Sequence, residues 1–490
     1  MLRCPWLPIP ALVLLGLVAG AGAALPPPPD GEPPERPAAG GGPLRPAPPG
    51  DDPAPPPAAQ PFPAWSPPPA PAGPAVARDH VVVSFEPRLP GWQRRQIAAA
   101  AGGVGFKAAQ MGRFVKVGVA RGDSVEALVG RLSGVPGVLL AEPDPLCWGL
   151  AVAVAEAADK RTFSDPLVFF QWTFERIRLP RALDLNSTDG DGVIVAVIDS
   201  GVASGDGTAF PARRGLDLEG TRFLPGIDLV DGGPPHDEGV GPIRFGHGTF
   251  IAAQIAATVN NGLSGASIAH RATILPIRVI GTNNVGFFSD VADGIDFAVA
   301  QGARVINLSL GGRQGSTVVQ NAIIRAHQAG VVIVAAAGNE AQDPDFGDDV
   351  AFPARYPQVI AVGATRFSDQ RASYSNPGPG LDLMAPAGEN PGATVGGGLP
   401  DAAVAPTFVV NPASGQVLYA DFAATGTSFA APQVAGGVAL LMALGVRDPE
   451  VIRSLLIVTA RDLGAPGLDN DTGEGLIDLF EAHRGLGFSF

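Results

Sequence analysis

Short apolar segments rich in β-branched residues alternate along this chain with segments of helical character, and this alternation is what most constrains the fold. Strand-like segments lie near Val193, Ile274, Val305, Val332 and Ile360. Helix-like segments lie near His247, Val291, Val319 and Val438. Uninterrupted apolar strands are typical of parallel sheets buried on both faces, and alternation with helices is typical of α/β folds. The sequence therefore predicts a three-layer α/β fold with a mainly parallel sheet.

The composition of the 490 residues changes along the chain and divides it into four parts. Residues 1–23 have a charged start, a short apolar stretch and small residues at the end, which is the pattern of a secretory signal peptide. Their apolar stretch is too short to span a bilayer. Residues 24–77 are dominated by Pro, Ala and Gly, which favours an extended spacer over a proline-recognition segment.

Residues 78–150 have the pattern of a small α+β unit. Strand-like runs lie at residues 80–85, 114–119 and 138–144, and residues 125–132 have helical spacing. Either an accessory segment of the following domain or a small independent binding domain fits this pattern. Residues 165–490 form the main domain, and about 325 residues are ample for one hydrophobic core.

Charge and cysteine content restrict the partners and the compartment. The formal net charge of −14 argues against nucleic acid and anionic membranes as partners. The only cysteines, Cys4 and Cys147, lie in the predicted signal peptide and at the end of the α+β unit. If both segments are removed, the exported protein has no cysteine. Its stability then depends on core packing, and on any bound ions, instead of disulfides. We expect an exported protein, extracellular or periplasmic.

Three polar residues stand at the end of a strand or the start of a helix, each in a distinctive sequence context: Asp199, His247 and Ser428. Asp199 ends an apolar strand, His247 lies between two glycines at the start of an apolar helix, and Ser428 begins a long apolar helix. Taken singly, a turn, a Gly-rich loop and a helix N-cap would explain them. Taken together they predict nucleophilic catalysis, in which the serine attacks a carbonyl, the histidine transfers the proton and the aspartate orients the imidazole.

Asn339 follows a fourth buried strand and could serve the same reaction. A carbonyl attacked by serine becomes an oxyanion, which requires hydrogen-bond donors already directed at it. The Asn339 side chain and the Ser428 backbone amide are the candidate donors. A turn residue is the alternative interpretation of an asparagine that follows glycine.

These segments resemble those of subtilisin-like serine peptidases. The matching runs are VIDSG at 197–201, GHGT at 246–249, AAGN at 336–339, YPQVIAVGA at 356–364, LMAPAG at 383–388 and GTSFAAP at 426–432. The similarity extends from about residue 165 to the end of the chain. It implies a subtilisin-like fold and a serine endopeptidase that cleaves polypeptides through an acyl-enzyme, with broad specificity and a preference for large apolar residues before the cleaved bond.

The resemblance also implies roles for individual residues. Asp199, His247 and Ser428 would form the triad, and Asn339 would be the oxyanion donor. Extended substrate would pair with Ser309, Leu310 and Gly311. Ala336, Ala337 and Gly338 would line the opposite side of the pocket that takes the residue before the cleaved bond.

The α+β unit, residues 78–150, resembles the inhibitory prosegment of the same family, which would act as an intramolecular inhibitor of a self-processing zymogen. We expect no cofactor for the chemistry, no membrane contact after signal removal, and a monomer. Residues 260–262 lie near the usual calcium loop of the family, so a structural calcium ion stays open and no metal ligands are assigned.

Several positions depart from the family pattern. Phe429 and Gln433 stand where methionine and histidine are common, outside the triad. Residues 231–241 are predicted to be a surface loop, and residues 389–420 form an extended Gly/Pro/Ala-rich insertion. Both insertions could reshape the cleft or bind calcium.

Two other functions use similar residues or the same fold. An α/β-hydrolase esterase requires a Gly-x-Ser-x-Gly turn and the order Ser, Asp, His, whereas this chain has Gly-Thr-Ser-Phe-Ala and the order Asp, His, Ser, so we exclude it. A catalytically silent binding protein on the same fold is the second alternative. The presence of all three triad residues and Asn339 argues against it.

Overall fold

The computed structural model describes residues 76–486 apart from residues 112, 150–151, 154–162, 187, 206–214, 238, 243, 345–348, 397 and 412–413. The predicted signal peptide, residues 1–23, and residues 24–75 of the predicted spacer lie outside the described part. The first strand begins at Val76 and so includes the last two residues assigned to the spacer. No helix in the described part is both long enough and apolar enough to span a bilayer.

An antiparallel sheet with two helices forms the N-terminal unit, residues 76–149. Its elements are β1 (Val76–Phe85), α1 (Gly91–Ala100), β2 (Val104–Ala108), β3 (Val115–Gly118), α2 (Val125–Leu132) and β4 (Val138–Gly149). The strand order is β4-β1-β3-β2, and both helices and β1 contribute to a small separate core. The three predicted strands and the predicted helix are present. The sequence analysis missed α1 and β2, because α1 fully buries only Ala98 and β2 is largely exposed, so neither has a clear apolar period.

A parallel sheet of eight strands forms the centre of the larger part, residues 163–486. Up to residue 386 the strands that follow β4 are β5 (Val152–Ala153), β6 (Ile194–Asp199), β7 (Arg222–Phe223), β8 (Ile227–Asp228), β9 (Thr273–Arg278), β10 (Val285–Phe287), β11 (Val305–Leu308), β12 (Leu310–Gly311), β13 (Val332–Ala336), β14 (Val359–Thr365) and β15 (Leu383–Pro386). The sheet has the order β15-β14-β13-β11-β6-β9-β7, with β8 also beside β9, and all its pairs are parallel.

Helices cover both faces of this sheet. After a short 3-10 helix (Val168–Phe170), they are α3 (Trp172–Arg176), α4 (Leu179–Leu185), α5 (His247–Ala256), α6 (Phe288–Ala300), α7 (Thr317–Gln328), α8 (Thr427–Ala443), α9 (Pro449–Val458) and α10 (Leu479–Gly485). Alternate residues of β6 enter different cores. Val195 and Val197 pack in the cluster that includes α5 and α8, whereas Ala196 and Ile198 pack with α6 and α7. The predicted three-layer α/β architecture is confirmed.

Three consecutive antiparallel strands occupy most of the insertion at residues 389–420. They are β16 (Gly388–Val395), β17 (Leu399–Val410) and β18 (Val417–Thr425), and the end of β18 also pairs with β5. The last two strands form a long hairpin. β17 packs against α5, and the Gly246 amide donates to the Phe408 carbonyl at 2.9 Å. The hairpin therefore supports the start of the helix that carries His247.

Candidate active site

The carboxyl edge of the parallel sheet collects the predicted polar residues. Asp199 is the last residue of β6, Ser309 follows β11, and Asn339 lies three residues after the end of β13. These three strands are neighbours in the order β13-β11-β6. In a parallel sheet the carboxyl ends of neighbouring strands share one edge, so residues far apart in sequence meet there.

Asp199 and His247 form a buried hydrogen-bonded pair. Asp199 Oδ1 lies 2.6 Å from His247 Nδ1, and the Ser200 amide donates to the same oxygen at 2.7 Å. Both side chains are buried. Gly248 permits this approach, because a Cβ at that position would lie 2.1 Å from the Gly201 carbonyl oxygen. With its Nδ1 proton directed at Asp199, a neutral His247 has its lone pair on Nε2.

Ser428 lies in the first turn of α8, two residues after Gly426, whose φ is 137°. Its hydroxyl donates to the Ser309 carbonyl at 2.9 Å, and the Ser309 hydroxyl donates back to the Ser428 carbonyl at 2.8 Å. The rings of His247 and Phe429 are 5.5 Å apart between centroids, which places the serine turn beside the histidine. His247 Nε2 is buried and has no hydrogen-bond partner among the described residues.

The Asn339 side chain is oriented by Thr427. Its Oδ1 accepts hydrogen bonds from the Thr427 amide and hydroxyl, both at 2.9 Å. The Thr427 hydroxyl in turn accepts from the Gly338 amide at 3.2 Å. Because the oxygen is bound on this side, the NH2 group is the end of the Asn339 amide that remains for a ligand.

The end of β4 lies as an extended strand between two strands of the larger part. On one side Leu310 and Gly311 of β12 pair with Gly149 and Trp148, antiparallel. On the other side β10 pairs with residues 146–148, also antiparallel. The segment predicted to hold extended substrate therefore pairs with an extended segment of the same chain.

The contacts of Ala336, Ala337 and Gly338, the residues predicted to line the substrate pocket, are mostly with the main sheet. Ala336 ends β13, and the Ala337 amide donates to the Val362 carbonyl, so both backbones are engaged inside the main sheet. Gly338 is the member of this segment that contacts Thr427. The assignment of these three residues to a substrate pocket stays a prediction.

Two carboxylates of β4 bind the starts of two helices. Glu142 accepts hydrogen bonds from the Ser316 hydroxyl and from the Thr317 and Val318 amides at the start of α7. The buried Asp144 accepts from the Ser289 amide at 3.0 Å and from the Ser289 hydroxyl, in the first turn of α6. Negative charge is stabilised at helix N-termini, because the first amides have no partners within the helix.

The sequence analysis missed two parts of the site. β10 was not predicted, because only three residues form it. The local signal that could have indicated it is Gly286 at its centre, since a glycine within a strand allows another backbone to approach closely. The prediction of a surface loop at residues 231–241 is wrong for Pro235, His236 and Asp237, which are buried. Asp237 accepts hydrogen bonds from Ser200 and Thr249, so it could not stay at the surface.

The loop at residues 260–262 faces carboxylates but forms no evident metal cluster. Asp165 accepts hydrogen bonds from the amides of residues 260–262, and Asn261 donates to Asp217. Burial raises the pKa of Asp217 to about 8. Among the described residues, no three His, Cys, Asp or Glu side chains are grouped as metal ligands.

Comparison with known protein families gives a match over most of the larger part. The model described as the subtilase family, peptidase S8, matches residues 190–475, which is more than half of the chain. The chain belongs to the subtilase family. This subtilase is a serine endopeptidase that acts on polypeptides and needs no cofactor for its chemistry.

Relatives and solved structures agree with this assignment. Subtilisin BL from Lederbergia lenta is 33% identical over 314 residues, 64% of this chain and 98% of that protein. A protease from Pseudoalteromonas arctica is 30% identical with a TM-score of 0.56, covering 66% of this chain and 99% of that one. Fervidolysin from Fervidobacterium pennivorans, a keratinolytic enzyme related to subtilisin, has a TM-score of 0.64 at 24% identity, covering 84% of this subtilase and 61% of its own chain.

Proposed function

We propose that this subtilase is a secreted serine endopeptidase made as a self-processing zymogen, with Asp199, His247 and Ser428 as its triad. The observation that carries the proposal is the path of the chain through the cleft. β4 ends beside β12 at Gly149, and β5 begins at Val152 beside Thr425, three residues before Ser428. The last described residue of β4 therefore lies beside β12, and the first residue of β5 lies beside the strand that leads to the nucleophile.

The chemistry follows from the hydrogen bonds of the three groups. Ser428 Oγ attacks the substrate carbonyl while His247 Nε2 takes its proton, and Asp199 stabilises the imidazolium through Nδ1. The oxyanion accepts hydrogen bonds from the Asn339 NH2 group and the Ser428 amide. The imidazolium then protonates the leaving amine, and water hydrolyses the acyl-enzyme by the same steps in reverse.

The Ser428 hydroxyl must turn before it can react. In the structure it donates to the Ser309 carbonyl, and His247 Nε2 has no described partner. We propose that rotation about the Ser428 Cα–Cβ bond moves the hydroxyl from Ser309 to His247. Catalytic hydrogen bonds that form only with substrate in place are common.

The N-terminal unit would serve as the prosegment, with residues 1–23 as the signal peptide, 24–77 as the spacer and 165–490 as the peptidase domain. Glu142 and Asp144 would hold it on α7 and α6, and the end of β4 would occupy the position of extended substrate beside β12. Autoprocessing would cut between Gly149 and Val152. Of the bonds in that stretch, the one after Leu150 has a large apolar residue on its amino side, as the family preference requires.

Intact mass and N-terminal sequencing of the secreted protein test this proposal. Wild type should begin at Ala151, and the Ser428→Ala chain should keep residues 24–150 and lack peptidase activity. Ser414→Ala, an exposed serine of the hairpin, should behave as wild type. A processed and active Ser428→Ala protein would remove the triad assignment, and a mature start before Arg78 would remove the prosegment.

A wild type that stays full length has two explanations, which trace trypsin separates. Activation by trypsin indicates a zymogen that depends on another protease, and then self-processing is wrong. Continued inactivity after removal of the N-terminal unit indicates a silent binding protein.

Asp217 is the candidate ligand for a structural calcium ion. Its Oδ2 is buried without a hydrogen-bond partner among the described residues, and the side chain faces Asn261. We propose that Asp217 would bind a structural calcium ion beside the loop at residues 260–262, since this ion prefers carboxylate ligands. The ion would order the loop and take no part in the chemistry.

A further inference from the structure

Asp237 is a buried carboxylate that the triad mechanism does not use. It lies between β8 and α5 and has no exposed surface. Its Oδ1 accepts from the Ser200 hydroxyl at 3.0 Å and the Gly239 amide at 2.9 Å. Its Oδ2 accepts from the Thr249 amide at 3.0 Å and the Thr249 hydroxyl at 2.7 Å. All four partners donate, so both oxygens act as acceptors.

The two hydroxyls that bind Asp237 are themselves oriented by the backbone. The Ser200 hydroxyl accepts from the Gly248 amide, and the Thr249 hydroxyl accepts from the Ala203 amide, each at 3.0 Å. Each hydroxyl is thus left to direct its single proton at Asp237. The resulting network crosses twice between the loop after β6 and the first turn of α5.

The hydrogen-bond network of Asp237 involves residues next to two members of the proposed triad. Ser200 directly follows Asp199, and Thr249 lies two residues after His247. Asp237 therefore binds the Ser200 hydroxyl on one side of the Asp199–His247 hydrogen bond, and the Thr249 amide and hydroxyl on the other. We propose that Asp237 is a positioning residue, whose ionised carboxylate holds the loop after β6 and the start of α5 at the separation that the Asp199–His247 bond requires. This inference rests on the triad proposed above.

The charge state of Asp237 is consistent with that role. Burial raises the pKa of Asp237 to about 6, hydrogen bonds from Thr249 and Gly239 lower it, and the charge of Asp199 raises it. At pH 8 the carboxylate is therefore ionised, and both oxygens can accept. An amide in its place would direct an NH2 group at a backbone amide that also donates.

Kinetics at pH 8 of the processed enzyme test the role. Asp237→Asn should lower kcat roughly 10- to 100-fold and leave KM within about twofold, because a small misplacement of the base acts on the transition state. Thr249→Val should act in the same direction, whereas Thr249→Ser keeps the hydroxyl and should restore nearly all of kcat. Effects of Asp237→Asn and Thr249→Val should be less than additive, since both break one network.

A spectroscopic measurement separates this role from general support of the fold, and from failure of the proposed function. The downfield proton resonance of His247 Nδ1–H reports the bond to Asp199 and can be recorded in the inactive Ser428→Ala chain. It should shift or broaden in Asp237→Asn and Thr249→Val and stay in Thr249→Ser. An unchanged resonance in Asp237→Asn, or an unchanged kcat, would overturn the proposal. If Asp237→Asn does not fold, the two Thr249 variants decide.

Discussion

At the scale of single residues, the site is built from side chains that are held at one end by a neighbour. Asn339 is held at its oxygen by Thr427, and His247 is held at Nδ1 by Asp199. In each case the other end of the group remains for the substrate or for proton transfer. Such preorganisation matters because a donor already aimed at the oxyanion costs no reorganisation during the reaction.

Asn339→Ala tests this arrangement directly. We expect kcat to fall roughly 10²–10³-fold with little change in KM, because the NH2 group acts mainly on the transition state. Steady-state kinetics on a peptide substrate measure both parameters, with the exposed Asn390→Ala as the matched control. A rise in KM at constant kcat would instead make Asn339 a substrate-binding residue.

Removal of calcium gives a second prediction at the residue scale. Chelation should lower Tm by several degrees, since an ion that binds only the folded state stabilises it by mass action. Asp217→Asn should lower Tm in the presence of calcium and make it insensitive to chelator. The comparison is made by thermal unfolding of the Ser428→Ala chain, which cannot digest itself. A chelator effect of equal size in both proteins would place the ion elsewhere.

At the scale of elements, the N-terminal unit is attached through helix ends as well as through strand pairing. Glu142 accepts three hydrogen bonds from the start of α7, and Asp144 accepts two from the start of α6. Replacing a carboxylate that caps a helix costs about 1 kcal/mol. This is enough to change how often the end of β4 leaves the cleft.

Glu142→Ala should therefore loosen β4. In the Ser428→Ala chain we expect amides of β4 that pair with β10 and β12 to exchange with deuterium roughly fivefold faster, as about 1 kcal/mol implies. Glu126→Ala, an exposed acidic residue of α2 in the same unit, is the control and should leave β4 unchanged. Equal exchange in both variants would contradict a capping role for Glu142.

At the scale of the whole molecule, a buried histidine links the two parts of the chain. His80 Nε2 lies 2.7 Å from Asp144 Oδ2 and Nδ1 lies 2.8 Å from Asp79 Oδ1. Lys116 lies 3.5 Å from Asp144 and 2.8 Å from Asp290, and the His80 ring packs edge-on against Phe287. Burial lowers the pKa of His80, but the hydrogen bond and charge of Asp144 outweigh burial, so the net pKa is raised.

A raised pKa gives the folded state of this unit a defined pH dependence. Protonated His80 stabilises the folded state fully below the ordinary histidine pKa of about 6.5, and this contribution is lost as the pH rises through the raised value. In the Ser428→Ala chain, exchange of β4 corrected for intrinsic rates should therefore accelerate from pH 5.5 to 9. His80→Gln should flatten this dependence. Identical pH profiles for the two chains would exclude His80 as the titrating group.

Much of the fold could be predicted from local pattern, and the reactive groups proposed above come from the same kind of pattern. The β-branched runs of β6, β13 and β14 and the apolar helix α8 are strong signals, because burial on both faces permits few polar residues. The family motifs around His247 and Ser428 pointed to the proposed active site in the same way. The long hairpin was interpreted only as an extended insertion, since its Gly, Pro and Ala residues have weak β propensity, and contact with α5 decides its form.

The sequence by itself determined the layers of the fold and the family, and it predicted the reactive side chains, because each inference depends on residues close together in the chain. Only the tertiary structure decided which groups share a hydrogen bond. Asp237 meets Ser200 and Thr249 across 37 and 12 positions of sequence, and β4 lies between β10 and β12 across more than a hundred. No local pattern encodes such contacts, since they arise when the ends of parallel strands and the starts of helices meet at one edge of the sheet.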